Sequence, residues 1–120
     1  MKGVKKVTDT WLERAVVLSE MSDWQGLIDL CKDWTKNDPE NAKAWFYLGD
    51  AYGTLDRDDD AMKAYCEVVR IDPDDVDAWS DLAVSYILSN NRAEALDAIG
   101  VLRRLDPERA EVVFNQISPR

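Results

Sequence analysis

Asp56, Asp58, Asp60 and Glu67 stand at the first, third, fifth and twelfth positions of a window in which calcium loops place oxygen ligands. Carboxylates at that spacing could hold a hard cation. The window fails at its sixth position: a calcium loop needs glycine there for a sharp turn, and this chain has Ala61, where a helical pattern starts that carries Glu67 away from the aspartates. A solvated acidic turn is the better reading. With two cysteines, Cys31 and Cys66, and no histidine, the chain alone cannot assemble a four-ligand zinc site or imidazole-based catalysis. A buried, reduced thiol is the reading for Cys31, ahead of a disulfide with Cys66. No Gly-rich phosphate cradle, Ser-His-Asp set or acid/base pair in an apolar pocket can be read, so no catalytic residue, metal or cofactor is assigned.

The elements that position these residues recur. Trp11, Trp45 and Trp79 stand 34 residues apart, as do Asp38-Pro39, Asp72-Pro73 and Asp106-Pro107. Leu48-Gly49 then Tyr52 in the second copy becomes Leu82-Ala83 then Tyr86 in the third, followed by Ala61 and Ala95. Within the second copy, Ala44, Trp45, Leu48, Ala51, Tyr52 and Leu55 recur at three- and four-residue steps, the period of an amphipathic helix. A second helical pattern runs through Ala64, Tyr65, Val68 and Val69 to Ile71, where Pro73 prevents continuation. The spacing predicts helices over 9–21, 24–37, 42–55, 58–71, 76–89, 92–105 and 108–117, with no sheet.

The pattern W-x-x-L-G/A-x-x-Y, then Ala, then a large residue, then Asp-Pro, resembles the tetratricopeptide repeat family over residues 8–109. The resemblance implies an all-α, right-handed helical solenoid. Its repeats would span 8–41, 42–75 and 76–109, after a basic extension at 1–7 and before a C-terminal capping helix at 110–117, with residues 8–120 forming a single domain. One helix pair cannot bury its stripe alone and depends on its neighbour. The first copy departs from the pattern as an end unit would: Arg14 replaces Leu48 and Leu82, Leu27 replaces the alanine, and Trp34 takes the slot of Val68 and Leu102. Arg14 can lay its stem on the core and keep its guanidinium in water while Leu27 and Trp34 refill the volume.

The net charge is −9, and residues 38–81 carry all of it, with 13 acidic and 4 basic side chains. A field of that sign repels phosphate backbones and excludes nucleic acid as the natural partner. No apolar run is long enough to span a membrane and no secretory signal is read, so a cytoplasmic address is the expectation.

The resemblance further implies that the first helices line a concave groove. Its slots here are Asp9, Leu12, Val16 and Glu20, then Lys43, Phe46, Tyr47, Asp50 and Thr54, then Asp77, Ser80, Asp81, Val84, Ile87 and Leu88. Of these, Leu12, Val16, Lys43, Phe46, Tyr47, Asp50, Asp77, Asp81, Val84 and Ile87 form the candidate partner-binding set, since apolar side chains rimmed by carboxylates mark a binding surface. Ile87 and Leu88 have an equal claim to packing under the capping helix. Family members that grip chaperone-tail carboxylates use Lys, Asn and Arg at slots held here by Leu12, Val16, Tyr47, Asp77 and Asp81. None matches, and two cationic slots are anionic. The expected function is a non-enzymatic scaffold whose groove takes a protein or peptide with apolar and basic residues. The alternative is a homo-oligomer formed through end surfaces at Trp24, Trp34, Val113 and Ile117.

Overall fold

The computed structural model describes residues 7–117, with side chains from Trp11 onward. Of the basic extension, residues 1–6 lie outside the described residues, as do the side chain of Asp9 and the stop at Pro119. Seven helices follow one another: α1 (Val7–Glu20), α2 (Trp24–Asn37), α3 (Ala42–Thr54), α4 (Asp58–Ile71), α5 (Val76–Leu88), α6 (Arg92–Leu105) and α7 (Pro107–Ile117). There is no strand among the described residues. Each helix packs on the next, α1 also touches α3, and α5 also touches α7, so three helix pairs stack into an elongated body of 58 × 26 × 21 Å.

Local chemistry sets the turns. Within each pair the first helix ends at a residue in the left-handed region, Ser22, Asp56 or Asn90, with φ of 58°, 60° and 64°. The amide of the following residue, Asp23, Arg57 or Asn91, then donates to the carbonyl of Leu18, Tyr52 or Tyr86 at 2.9, 2.9 and 2.7 Å. This is the Schellman closure, built three times without glycine. Between pairs, Asn41 caps α3 by accepting from the Lys43 amide, and Asp75 caps α5 by accepting from Ala78. The Trp and Asp-Pro periods are one device: the Trp45 indole N–H donates to the Pro39 carbonyl at 2.8 Å, and Trp79 does the same to Pro73 at 2.7 Å.

The core is apolar and small-large interlocked. A cβ built on Gly49 would lie 2.7 Å from the Tyr65 ring, so α3 and α4 approach as closely as they do only because that position has no side chain. One cluster joins the first two pairs and reaches Leu82; a second joins Ala83, Ala98, Ile99 and Leu102 to Ala110 and Val113 of α7. Trp79 and Tyr86 pack against both, which makes the stack continuous. At the first unit, Leu27 and Trp34 are fully buried, and the Arg14 guanidinium sits 6.0 Å over the Trp11 ring while the side chain stays exposed.

The last helix departs from the repeat. It starts at Pro107, one residue ahead of the predicted 108 and three ahead of the 110 at which the period would restart a first helix, because Asp106 alone links α6 to α7 and accepts from the Arg109 amide at 3.1 Å. Proline suits a first helical position, where its missing N–H costs nothing. Starting early rotates the helix: Val112, two periods after the buried Ala44 and one after the buried Ala78, is 60% exposed, and Ala110 and Val113 turn inward instead. The capping helix is therefore not a fourth first-helix in register. The Asp56–Glu67 window is split as well, because Asp58 already begins α4 and Glu67 lies about 10 Å further along that helix than Asp60.

Candidate functional site

One face of α3 carries Lys43, Phe46, Tyr47 and Asp50. Phe46 and Tyr47 are half-buried. The Phe46 ring meets the Tyr65 ring edge-on at 5.6 Å, and Tyr47 tilts against Trp34 at 6.4 Å, so both aromatics are braced from the second helices α4 and α2. Bracing of this kind fixes rotamers before a ligand arrives. The Tyr65 hydroxyl passes between the helices and donates to the Asp50 carboxylate. Burial pushes the Asp50 carboxyl up, and the Tyr65 hydrogen bond pulls it partly back. Tyr65 is itself held above the ordinary phenol range, by burial first and by that carboxylate second.

Asp81 on α5 faces the same space. Its carboxyl is pushed up to about 6, chiefly by burial, then by the charges of Asp50 and Asp77, with Arg109 opposing. Asp77 is exposed and is paired across to α7, where Arg109 donates to it at 3.0 Å. Two clefts open on this face. One of about 460 Å³ is lined by Ala42, Lys43, Phe46, Tyr47, Asp50, Val68, Asp72 and Asp75. The other, about 330 Å³, is lined by Ser19, Trp24, Leu27, Tyr47, Asp50, Gly53, Thr54 and Tyr65. Tyr47 and Asp50 belong to both, so the two clefts form one groove with an aromatic and a carboxylate at its middle.

The structure gathers Lys43, Phe46, Tyr47 and Asp50 into this groove, with Asp81 close enough to feel the Asp50 charge. Leu12 and Val16 are half-buried on α1, and Leu12 packs on the first core cluster. Val84 and Ile87 are drawn the other way, against the second cluster with Phe114 and Ile117, so for Ile87 the capping contact prevails; Leu88 stays 62% exposed. The end-surface set is corrected too. Trp34 and Val113 are 1% and 2% exposed inside the fold, and only Trp24 and Ile117 remain half-buried at the surface. Sequence reasoning missed Tyr65, Asp72 and Asp75 as groove residues. Tyr65 shares a repeat slot with the buried Cys31 and Ile99, and only its hydroxyl, a polar tip needing a partner, distinguished it. Cys31 and Cys66 are free thiols, and burial pushes Cys31 up to about 12, which keeps it an inert thiol.

Residues 42–85 match the tetratricopeptide repeat family. The first TPR domain of Spaghetti (RPAP3), solved with the HSP90 peptide SRMEEVD, superposes with a TM-score of 0.82 at 18% identity, over 92% of this chain and 89% of that one. The TPR2B domain of yeast Sti1, solved in an Hsp70 complex, gives 0.81 at 19%, over 93% and 97%. YrrB, described as a TPR protein with an unusual peptide-binding site, gives 0.79 at 18%, over 93% of this chain and 59% of that one. No curated protein sequence matches the chain significantly. The chain carries a tetratricopeptide-repeat match over residues 42–85 and has the all-α helical solenoid fold of TPR domains.

Proposed function

We propose that this chain is a non-enzymatic protein-interaction scaffold whose groove takes a segment presenting an apolar side chain next to Lys or Arg. The observation that carries the reading is the arrangement at the groove centre: Phe46 and Tyr47 are braced by Tyr65 and Trp34, and Asp50 and Asp81 flank them from α3 and α5. The peptides in two structural neighbours, SRMEEVD with HSP90 origin and SGPTIEEVD with HSP70 origin, are acidic. A carboxylate-rich tail would meet repulsion here, whereas a cation beside an apolar anchor gains both contacts.

Peptide display against the immobilised chain tests this. Selected sequences should be enriched in Lys or Arg next to Leu, Phe or Trp, and Phe46→Ala should weaken the best of them by roughly 2 kcal/mol or more. The Asp77→Lys/Asp81→Lys variant should slow association, most at low salt. Circular dichroism must show both variants helical, since Phe46 also packs on the core. Enrichment of acidic peptides, or equal binding by both variants, would sink the reading.

A further inference from the structure

The groove asks for a short apolar and cationic segment, and the chain contains one. Residues 1–6 read Met-Lys-Gly-Val-Lys-Lys, with three cations, no anion, and Met1 and Val4 as apolar side chains. This segment leads directly into α1 at Val7. Helix α1 packs beside α3, and the repeat places their first turns at the same end, Val7 being one 34-residue period before Asn41, the cap of α3. The larger cleft opens at that end as well, since its lining takes Ala42 and Lys43 from the first turn of α3 and Asp72 and Asp75 from the loop before α5. Packed helices lie roughly 8–10 Å apart, and six extended residues span about 20 Å. Six residues are therefore long enough to span from the start of α1 to the cleft.

We propose that residues 1–6 dock in the groove of their own chain, an apolar side chain against Phe46 and Tyr47 and lysines against Asp50, Asp75 and Asp81, and so compete with an external partner. This rests on the groove reading above. A tethered ligand enjoys an effective concentration in the millimolar range, so even a weak contact occupies the groove much of the time. Charge complementarity selects this occupant: every charged side chain of the segment is a cation, and among the groove-lining residues named above the carboxylates outnumber the lone lysine, Lys43.

The test compares the full chain with its Lys2→Glu/Lys5→Glu/Lys6→Glu variant by amide chemical shifts, and titrates both with an acetylated, amidated peptide of sequence MKGVKKV. The proposal expects shift differences at residues 43–50 and 77–81, independent of protein concentration, and binding of the peptide at least five-fold tighter to the variant than to the parent. Unchanged groove shifts overturn it, whatever the peptide does. Shift differences that grow with protein concentration overturn it in favour of docking into a second copy. If the groove shifts change as expected while no display-selected external peptide binds either chain, self-docking stands and the partner-binding reading falls.

Discussion

The two ends of the stack are closed by different means. At the N-terminal end volume closes the first pair: Trp34 is buried where the other units carry Val68 and Leu102, and Trp11 stacks on it at 6.4 Å with an interplanar angle of 5°. Val17 stays 51% exposed there, although Ala51 and Ser85, one and two periods on, are buried by the preceding pair. At the C-terminal end an added element does the work, as α7 lays Ala110 and Val113 over Ala83, Ala98, Ile99 and Leu102. The difference teaches that a repeat can meet an open end by enlarging one side chain or by spending one more helix. The first solution concentrates stability in a single residue, and the second spreads it over many small contacts.

That contrast predicts unequal costs. Trp34→Ala should lose about 3–5 kcal/mol in urea unfolding, and Val113→Ala roughly 2 kcal/mol, the transfer cost of its two methyl groups. Trp34→Phe should lose far less than Trp34→Ala. It keeps a stacking ring and removes an indole N–H that is buried without a hydrogen-bond partner. A smaller loss for Trp34→Ala than for Val113→Ala would show that the N-terminal end is not closed by volume.

The middle joint and the last pair supply a second contrast, through two helical glycines. Gly49→Ala places a methyl 2.7 Å from a Tyr65 ring whose hydroxyl is held by Asp50, so the ring cannot simply move away. The expected cost is about 1–3 kcal/mol. Nothing lies within 4 Å of the corresponding atom at Gly100, and Gly100→Ala should stabilise by up to about 1 kcal/mol through helix propensity. Thermal melts of the two variants moving in the same direction would break the comparison.

How far these features could be read beforehand depends on whether a residue's partner lies within its own repeat. The helices of the three pairs were readable because the apolar steps, the Asp-Pro stops and the Trp-to-Pro hydrogen bond recur in phase and act locally. The rotation of α7 out of register was not, since Asp106-Pro107 repeats the residue types of a four-residue loop but here caps a helix directly. Phe46, Tyr47 and Asp50 could be placed on the groove face from helical phase alone. That Tyr65 reaches Asp50 from another helix, and that Val84 and Ile87 turn toward α7, depend on packing between elements that no single period encodes.

The smallest expected effect joins the middle joint to the C-terminal end through Asp81. Its carboxyl faces Asp50 from α3, Asp77 on its own helix, Asp75 from the preceding loop and Arg109 from α7. Raised to about 6 in the folded chain, it binds a proton that the unfolded chain, with an ordinary carboxylate, releases until far lower pH. The sign follows from linkage: between those two values the native state holds more protons, so stability rises as pH falls from 7 toward 5 and is lost again as pH climbs through about 6. Asp50, also raised, adds in the same direction. Solvent still reaches Asp81, so screening limits the gain to about 1 kcal/mol. Asp81→Asn should flatten the stability profile over that range, and Arg109→Gln, which removes an opposing cation, should move the carboxyl above its present value of about 6. Carboxyl carbon shifts followed against pH would measure it directly. A fall in the Asp81 midpoint on Arg109→Gln would mean that α7 does not set the charge balance of the groove, and that the C-terminal closure and the groove behave as independent parts of the fold.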